Sequence, residues 1–67
     1  MGDINQDRKS GERWARELDM DRVHALIDAL VLGDFDWREW LDEKPTNAFI
    51  SAAFDEAQYR EEMGVAY

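Results

Sequence analysis

Val23, Leu26, Ile27, Leu30 and Val31 repeat at the i, i+3, i+4, i+7, i+8 spacing. That pattern gathers five apolar side chains on one stripe of a helix and on neither face of a strand. Asp19 or Asp21 stands where a side chain caps the start of this helix, and Gly33 supplies the left-handed residue that ends it. No apolar/polar alternation of a strand persists anywhere for more than a few positions, so the chain is expected to be all-α.

Three further segments carry helical spacing. In "SGERWARELD" Trp14 and Leu18 lie one turn apart, Ser10 is placed to cap, and Glu12 precedes Arg16 in the favourable i,i+4 order. Residues 1–9 show no periodic pattern and are expected to be frayed. "DFDWREWLDE", residues 34–43, puts three aromatics and five acids into ten positions. If Asp36 caps a helix here, Trp37, Trp40 and Leu41 share one side and Glu39, Asp42 and Glu43 the other, until Lys44 and Pro45 end it. The last segment, "NAFISAAFDEAQYREEMG", is capped by Thr46 or Asn47 and closed by Gly64. Its apolar face is Phe49, Ile50, Ala53, Phe54 and Ala57, flanked by Ala52, Tyr59 and Met63. Ser51, Asp55, Gln58 and Glu62 oppose that face, Glu56 is placed to pair with Arg60, and the alanines would admit another helix closely. With short loops between them, these elements predict a compact bundle of about four short helices, residues 10–67 forming one small domain.

A chain of 67 residues buries a small share of its surface, and the absence of cysteine removes disulfides and thiolate metal sites. Dense aromatic packing or a dimer must compensate. Three Trp, three Phe and two Tyr argue for a folded chain despite its charge. No apolar run reaches the roughly 20 residues of a membrane span, and the start "MGDINQDRKSGER" lacks the apolar stretch of a secretory signal, so a cytoplasmic protein is expected.

Little in the chain points to a reaction. The single histidine, His24, has Asp28 one turn away, but Ser10 and Ser51 lie in other elements and no strand-turn-helix elbow presents a nucleophile. Asp34 and Asp36 fill the first and third places of a calcium loop, yet Arg38 and Pro45 occupy the fifth and twelfth, which excludes an EF-hand. No HExxH and no phosphate-cradling glycine loop is present, the glycines being read as chain or helix ends. The expectation is a protein without catalytic residues, metal or cofactor.

Charge is more informative. The formal net charge is −8. Residues 1–18 hold four acids and four bases, whereas residues 19–67 hold twelve acids against four bases. Such an excess repels nucleic acid and anionic membrane and attracts basic protein surfaces over a salt-dependent range. The one basic cluster, Arg8, Lys9, Arg13 and Arg16, is diluted by Asp7, Glu12 and Glu17, so direct nucleic-acid binding is not expected. Acids recur one or two turns apart, as with Asp55 and Glu62 or Glu39 and Glu43. At about 1.5 Å rise per residue these stand roughly 6–10 Å apart, a scale comparable with phosphates on duplex DNA.

A short, cysteine-free, acidic helical chain of this kind resembles the phage-encoded inhibitors that imitate DNA, including the acidic anti-CRISPR proteins; the acids of 34–43 and 55–62 carry the likeness. The resemblance is one of size and charge across the whole chain, without a motif. It implies a non-enzymatic monomer or homodimer in the bacterial host that occupies the Lys/Arg-lined DNA path of a CRISPR effector complex or another basic DNA-binding protein. The partner-binding residues would be Asp34, Asp36, Glu39, Asp42, Glu43, Asp55 and Glu62, with Phe35 and Tyr67 as exposed anchors. The alternative is an interaction module, such as an antitoxin, an adaptor or a transcription-factor partner, docking through the Trp37 and Trp40 face or the alanine-rich side of the last helix.

Overall fold

Local capping chemistry sets the ends of the helices. Asp19, rather than Asp21, opens one of them, its carboxylate accepting from the Arg22 amide at 2.8 Å. Thr46 opens another, its hydroxyl accepting from the Phe49 amide at 3.2 Å. Gly33 and Gly64, at φ 77° and 64°, close the same two. In the computed structural model, which describes residues 4–64, helix α1 spans Ile4–Arg16, α2 Met20–Leu32 and α3 Asn47–Met63. A single 3-10 turn, Trp37–Glu39, lies between α2 and α3, and no strand occurs among the described residues. The fold is thus all-helical with three helices, not about four.

The expected start of α1 is corrected by six residues, from Ser10 to Ile4. Residues 4–9 are helical, and Ser10 is an exposed mid-helix residue instead of a cap. These positions lack an apolar stripe of their own, but α3 supplies what the pattern does not: the Thr46 hydroxyl donates to Asp7 at 3.2 Å, and Arg8 lies 3.7 Å from Asp55. Tertiary contact outweighs weak local preference in a helix this short.

α3 is the spine. α1 runs alongside it in the same direction, Asp7 meeting Thr46 near one end and Ala15 meeting Arg60 near the other. α2 runs back, His24 in its first half reaching Glu61 near the end of α3. Both flanking helices pack on α3 and hardly meet each other. Their shared core is small: Ala15, Val23, Leu26, Ile27, Ala52, Ala53 and Ala57 are buried, with Leu26 and Val23 the largest fully enclosed. Trp14, Leu18, Leu30, Phe35, Trp40 and Phe54 pack partly buried around it. The radius of gyration, 11.3 Å, matches the roughly 11 Å of a compact chain this long. Val31, expected on the apolar stripe, is exposed, because a helix that packs on one neighbour only buries a narrow strip. Among the described residues no helix is long and apolar enough to cross a membrane.

α1 and α3 approach closely at Phe49 and Gly11, a residue that the sequence reading placed at a helix end. It sits buried in the middle of α1, where an added Cβ would collide with the Phe49 carbonyl oxygen. Helix propensity alone favours Gly11→Ala by about 1 kcal/mol, whereas backbone collision costs about 1–3 kcal/mol. The variant should therefore lower the urea midpoint followed by circular dichroism; equal or greater stability would show that the two backbones are farther apart.

Candidate partner-binding surface

The segment 34–43 leaves α2 through the left-handed Gly33, with the Asp34 amide donating to Ala29 at 2.9 Å. It does not form the helix expected from Asp36 to Glu43. Asp36 does cap, accepting from the Arg38 amide at 3.1 Å, but it caps only one 3-10 turn. The Trp37 carbonyl then takes both the Trp40 and the Leu41 amides, at 2.9 and 2.8 Å, and the turn ends there. An isolated helix of two turns is costly to nucleate. The competing gain is aromatic: Trp40 meets Trp14 edge-on at 6.0 Å between centroids and lies beneath the Arg22 guanidinium at 4.5 Å. Trp40 thereby fills the space between α1 and α2.

Phe35, expected as an exposed anchor, is corrected to a half-buried residue packed on the core and 6.1 Å from Trp40. Tyr67, the other expected anchor, lies outside the described residues. Trp37 is half-buried with the Arg38 guanidinium 5.6 Å from its ring. Phe35 and Trp40 thus pack toward the protein and Trp37 is half-buried, while Asp34, Asp36, Glu39, Asp42 and Glu43 are all exposed. The two sets separate as the sequence reading required, through a pinned irregular segment instead of a helix.

The acids do not form one continuous site. Asp42 and Glu43 line a hollow of about 390 Å³ together with Leu41, Lys44, Pro45 and Phe49, and Asp7 of α1 joins them there. Sequence reasoning missed Asp7 because it fell in a stretch read as frayed; its position three residues into a helical segment that packs on Thr46 is a tertiary fact. Asp55 lies elsewhere, in a hollow between α1 and α3 with Glu12 and Glu56, and is 3.7 Å from Arg8. Glu62, two turns beyond Asp55 on α3, is exposed. The basic residues are partly spent on the fold: Arg16 holds Glu12 at 2.8 Å and approaches the buried Glu56 at 3.6 Å.

His24 does not face Asp28. Its Nδ1 lies 2.8 Å from Glu61 Oε2, a surface link between α2 and α3. Among the described residues no group of three or more His, Asp or Glu side chains is placed to hold a metal ion.

Because Trp40 holds the acidic segment down, Trp40→Ala should cost about 2–4 kcal/mol and abolish hydrogen-exchange protection of the Trp40 and Leu41 amides while leaving α1 and α3 helical. Retained protection there would mean that the turn is self-sufficient. In comparison with known proteins, no family model, no curated protein and no solved structure matches this chain.

Proposed function

We propose that the protein is a non-enzymatic acidic inhibitor that imitates DNA and occupies a basic nucleic-acid-binding surface of another protein. The target class is the one its resemblance implies: the DNA path of a CRISPR effector complex, in the cytoplasm of a bacterial host. The observation that carries this reading is the row of five exposed carboxylates at Asp34, Asp36, Glu39, Asp42 and Glu43. Among the described residues no Lys, Arg or His side-chain nitrogen forms an ion pair within 4.0 Å with any of them. Five carboxylates displayed within ten residues suit a partner whose arginines are set to meet phosphates along a strand.

The physical sequence is simple. Uncompensated charge steers the protein onto a cationic surface, and carboxylates on a fixed frame then take the places of phosphate oxygens without the cost of ordering a flexible chain. Most of the side chains that the apolar-dock alternative would use are engaged within the fold, Trp37 being the half-buried exception. Trp40 is packed against Trp14 and Arg22, and Ala52, Ala53 and Ala57 are buried within the bundle.

The test is a DNA-binding assay with purified CRISPR effector complexes. Glu39→Lys, Asp42→Lys and Glu43→Lys together should raise the concentration needed for half-inhibition at least about tenfold, a loss of roughly 1.4 kcal/mol, with helicity unchanged. Wild-type inhibition should itself weaken as salt shortens the screening length from about 10 Å at 0.1 M to about 3 Å at 1 M. Full inhibition by the triple variant would remove this face, and inhibition indifferent to both salt and added duplex DNA would remove mimicry.

A further inference from the structure

The C-terminal end of α2 is built unlike the ends of the other two helices. α1 carries Arg13 and Arg16 in its last turn and α3 carries Arg60, but α2 has no basic residue there. The negative end of its macrodipole is therefore uncompensated by its own side chains. Nor does the neighbouring chain help, since residues 23–37 contain no Lys or Arg at all. Asp28, Asp34 and Asp36 are exposed on this stretch, and among the described residues none of them has a cation within 4.0 Å. His24, the one titratable base nearby, is engaged by Glu61.

On this same end stand two adjacent, strongly exposed aliphatic side chains, Val31 at 67% and Leu32 at 72% of their full accessibility, matched among the described large apolar residues only by Ile4. Asp28, three and four residues earlier, shares their strip of helix surface, and Asp34 follows two residues after Leu32. Leaving each aliphatic in water forgoes burial that is worth far more to a small core than to a large one. Adjacent exposed aliphatics ringed by unpaired acids have the composition of a binding anchor: apolar contact in the centre, charge at the rim.

We propose that the C-terminal end of α2, from Asp28 to Asp36, is the docking surface for a basic protein partner. Val31 and Leu32 enter an apolar depression beside the partner's Lys and Arg side chains, which meet Asp28, Asp34, Asp36 and the helix terminus. This inference rests on the DNA-mimic reading and locates the apolar anchor that Phe35, packed inward, does not supply. Charge selects the occupant. A second copy related by twofold symmetry would bring these aspartates and this helix end against their own counterparts, like charge on like. A phosphate backbone or an anionic membrane would be repelled in the same way.

The experiment is site-specific photo-crosslinking in bacteria that contain CRISPR effectors, with the photoreactive residue placed at Leu32, at Glu39 or at Gln58, the last an exposed position on α3. The expected result is an adduct from position 32 and not from 58, to a protein with a nucleic-acid-binding surface, reduced at least tenfold by Asp28→Asn, Asp34→Asn and Asp36→Asn together. Val31→Ser with Leu32→Ser should leave helicity and thermal unfolding unchanged while speeding dissociation from that protein at least tenfold. An adduct to a second copy, an adduct from 39 or 58 but not from 32, or an unchanged dissociation rate would each overturn the surface. An adduct at 32 that added duplex DNA fails to displace would overturn DNA mimicry and leave the surface standing. No adduct from any of the three positions would overturn both.

Discussion

The arrangement of the helices depends on one buried guanidinium. Arg60 of α3 is almost wholly enclosed, and it donates to the carbonyl oxygens of Ala15 and Leu18 at the end of α1. The last carbonyls of a helix have no partners within it, so Arg60 supplies from a neighbouring helix what a local cap would otherwise provide. Parallel alignment makes this more than a cap. Two helices running the same way bring their negative ends together, and a cation placed at that end offsets both macrodipoles. A buried charge is tolerated only when it is paired and hydrogen-bonded, and the α1 carbonyls meet that condition. The acidic neighbour is less well served: Glu56 Oε2 is buried and accepts no hydrogen bond from the described residues, while Arg16 reaches Glu56 Oε1 at 3.6 Å.

With α1 fixed to α3 in this way, and α2 running back along α3, a gap is left between α1 and α2. The connecting segment closes it with Trp40. The edge-on contact of Trp14 with Trp40 and the tilted one of Trp40 with Phe35, with Trp14 also 5.6 Å from Phe49, supply apolar contact that the small buried core lacks. The same packing turns the acids outward. Fold and candidate surface are therefore one construction, in which the anchoring aromatics and the displayed carboxylates alternate along a few residues of chain.

The parts of this legible in the sequence are those with a local cause. The α2 stripe, the caps at Asp19 and Thr46, the left-handed glycines at 33 and 64 and the Glu12–Arg16 pair all follow from spacing within one or two turns. The parts that were not legible have causes distant in the chain. Trp37, Trp40 and Leu41 fit helical spacing equally well as a short turn, and only the positions of Trp14 and Arg22 decide between them. Residues 4–9 become helix because α3 lies beside them, and Gly11 looks like punctuation until Phe49 is opposite it. For the surface, exposure of the acids was readable from charge alone. The inward turn of Phe35, the arrival of Asp7 beside Asp42 and Glu43, and the outward position of Val31 were not, because each depends on which neighbour a side chain meets.

Charge on this scale is a burden for so small a domain. Two carboxylates about 7 Å apart would repel by roughly 0.6 kcal/mol in water before salt screening, and the segment 34–43 holds five acids in ten residues. A chain of this length has only about 3–10 kcal/mol of stability to set against that. Interspersed lysines would relieve the repulsion, as on an ordinary soluble surface; the segment 34–43 has one base, Arg38, and its guanidinium lies over Trp37. The repulsion is relieved in full only when cations from outside arrive. Binding to a basic surface would then stabilise the folded state by mass action, by an amount that grows with the logarithm of the partner's concentration over its dissociation constant. The free protein displays its carboxylates at a cost in stability, and a complex with a cationic partner would recover that energy as affinity.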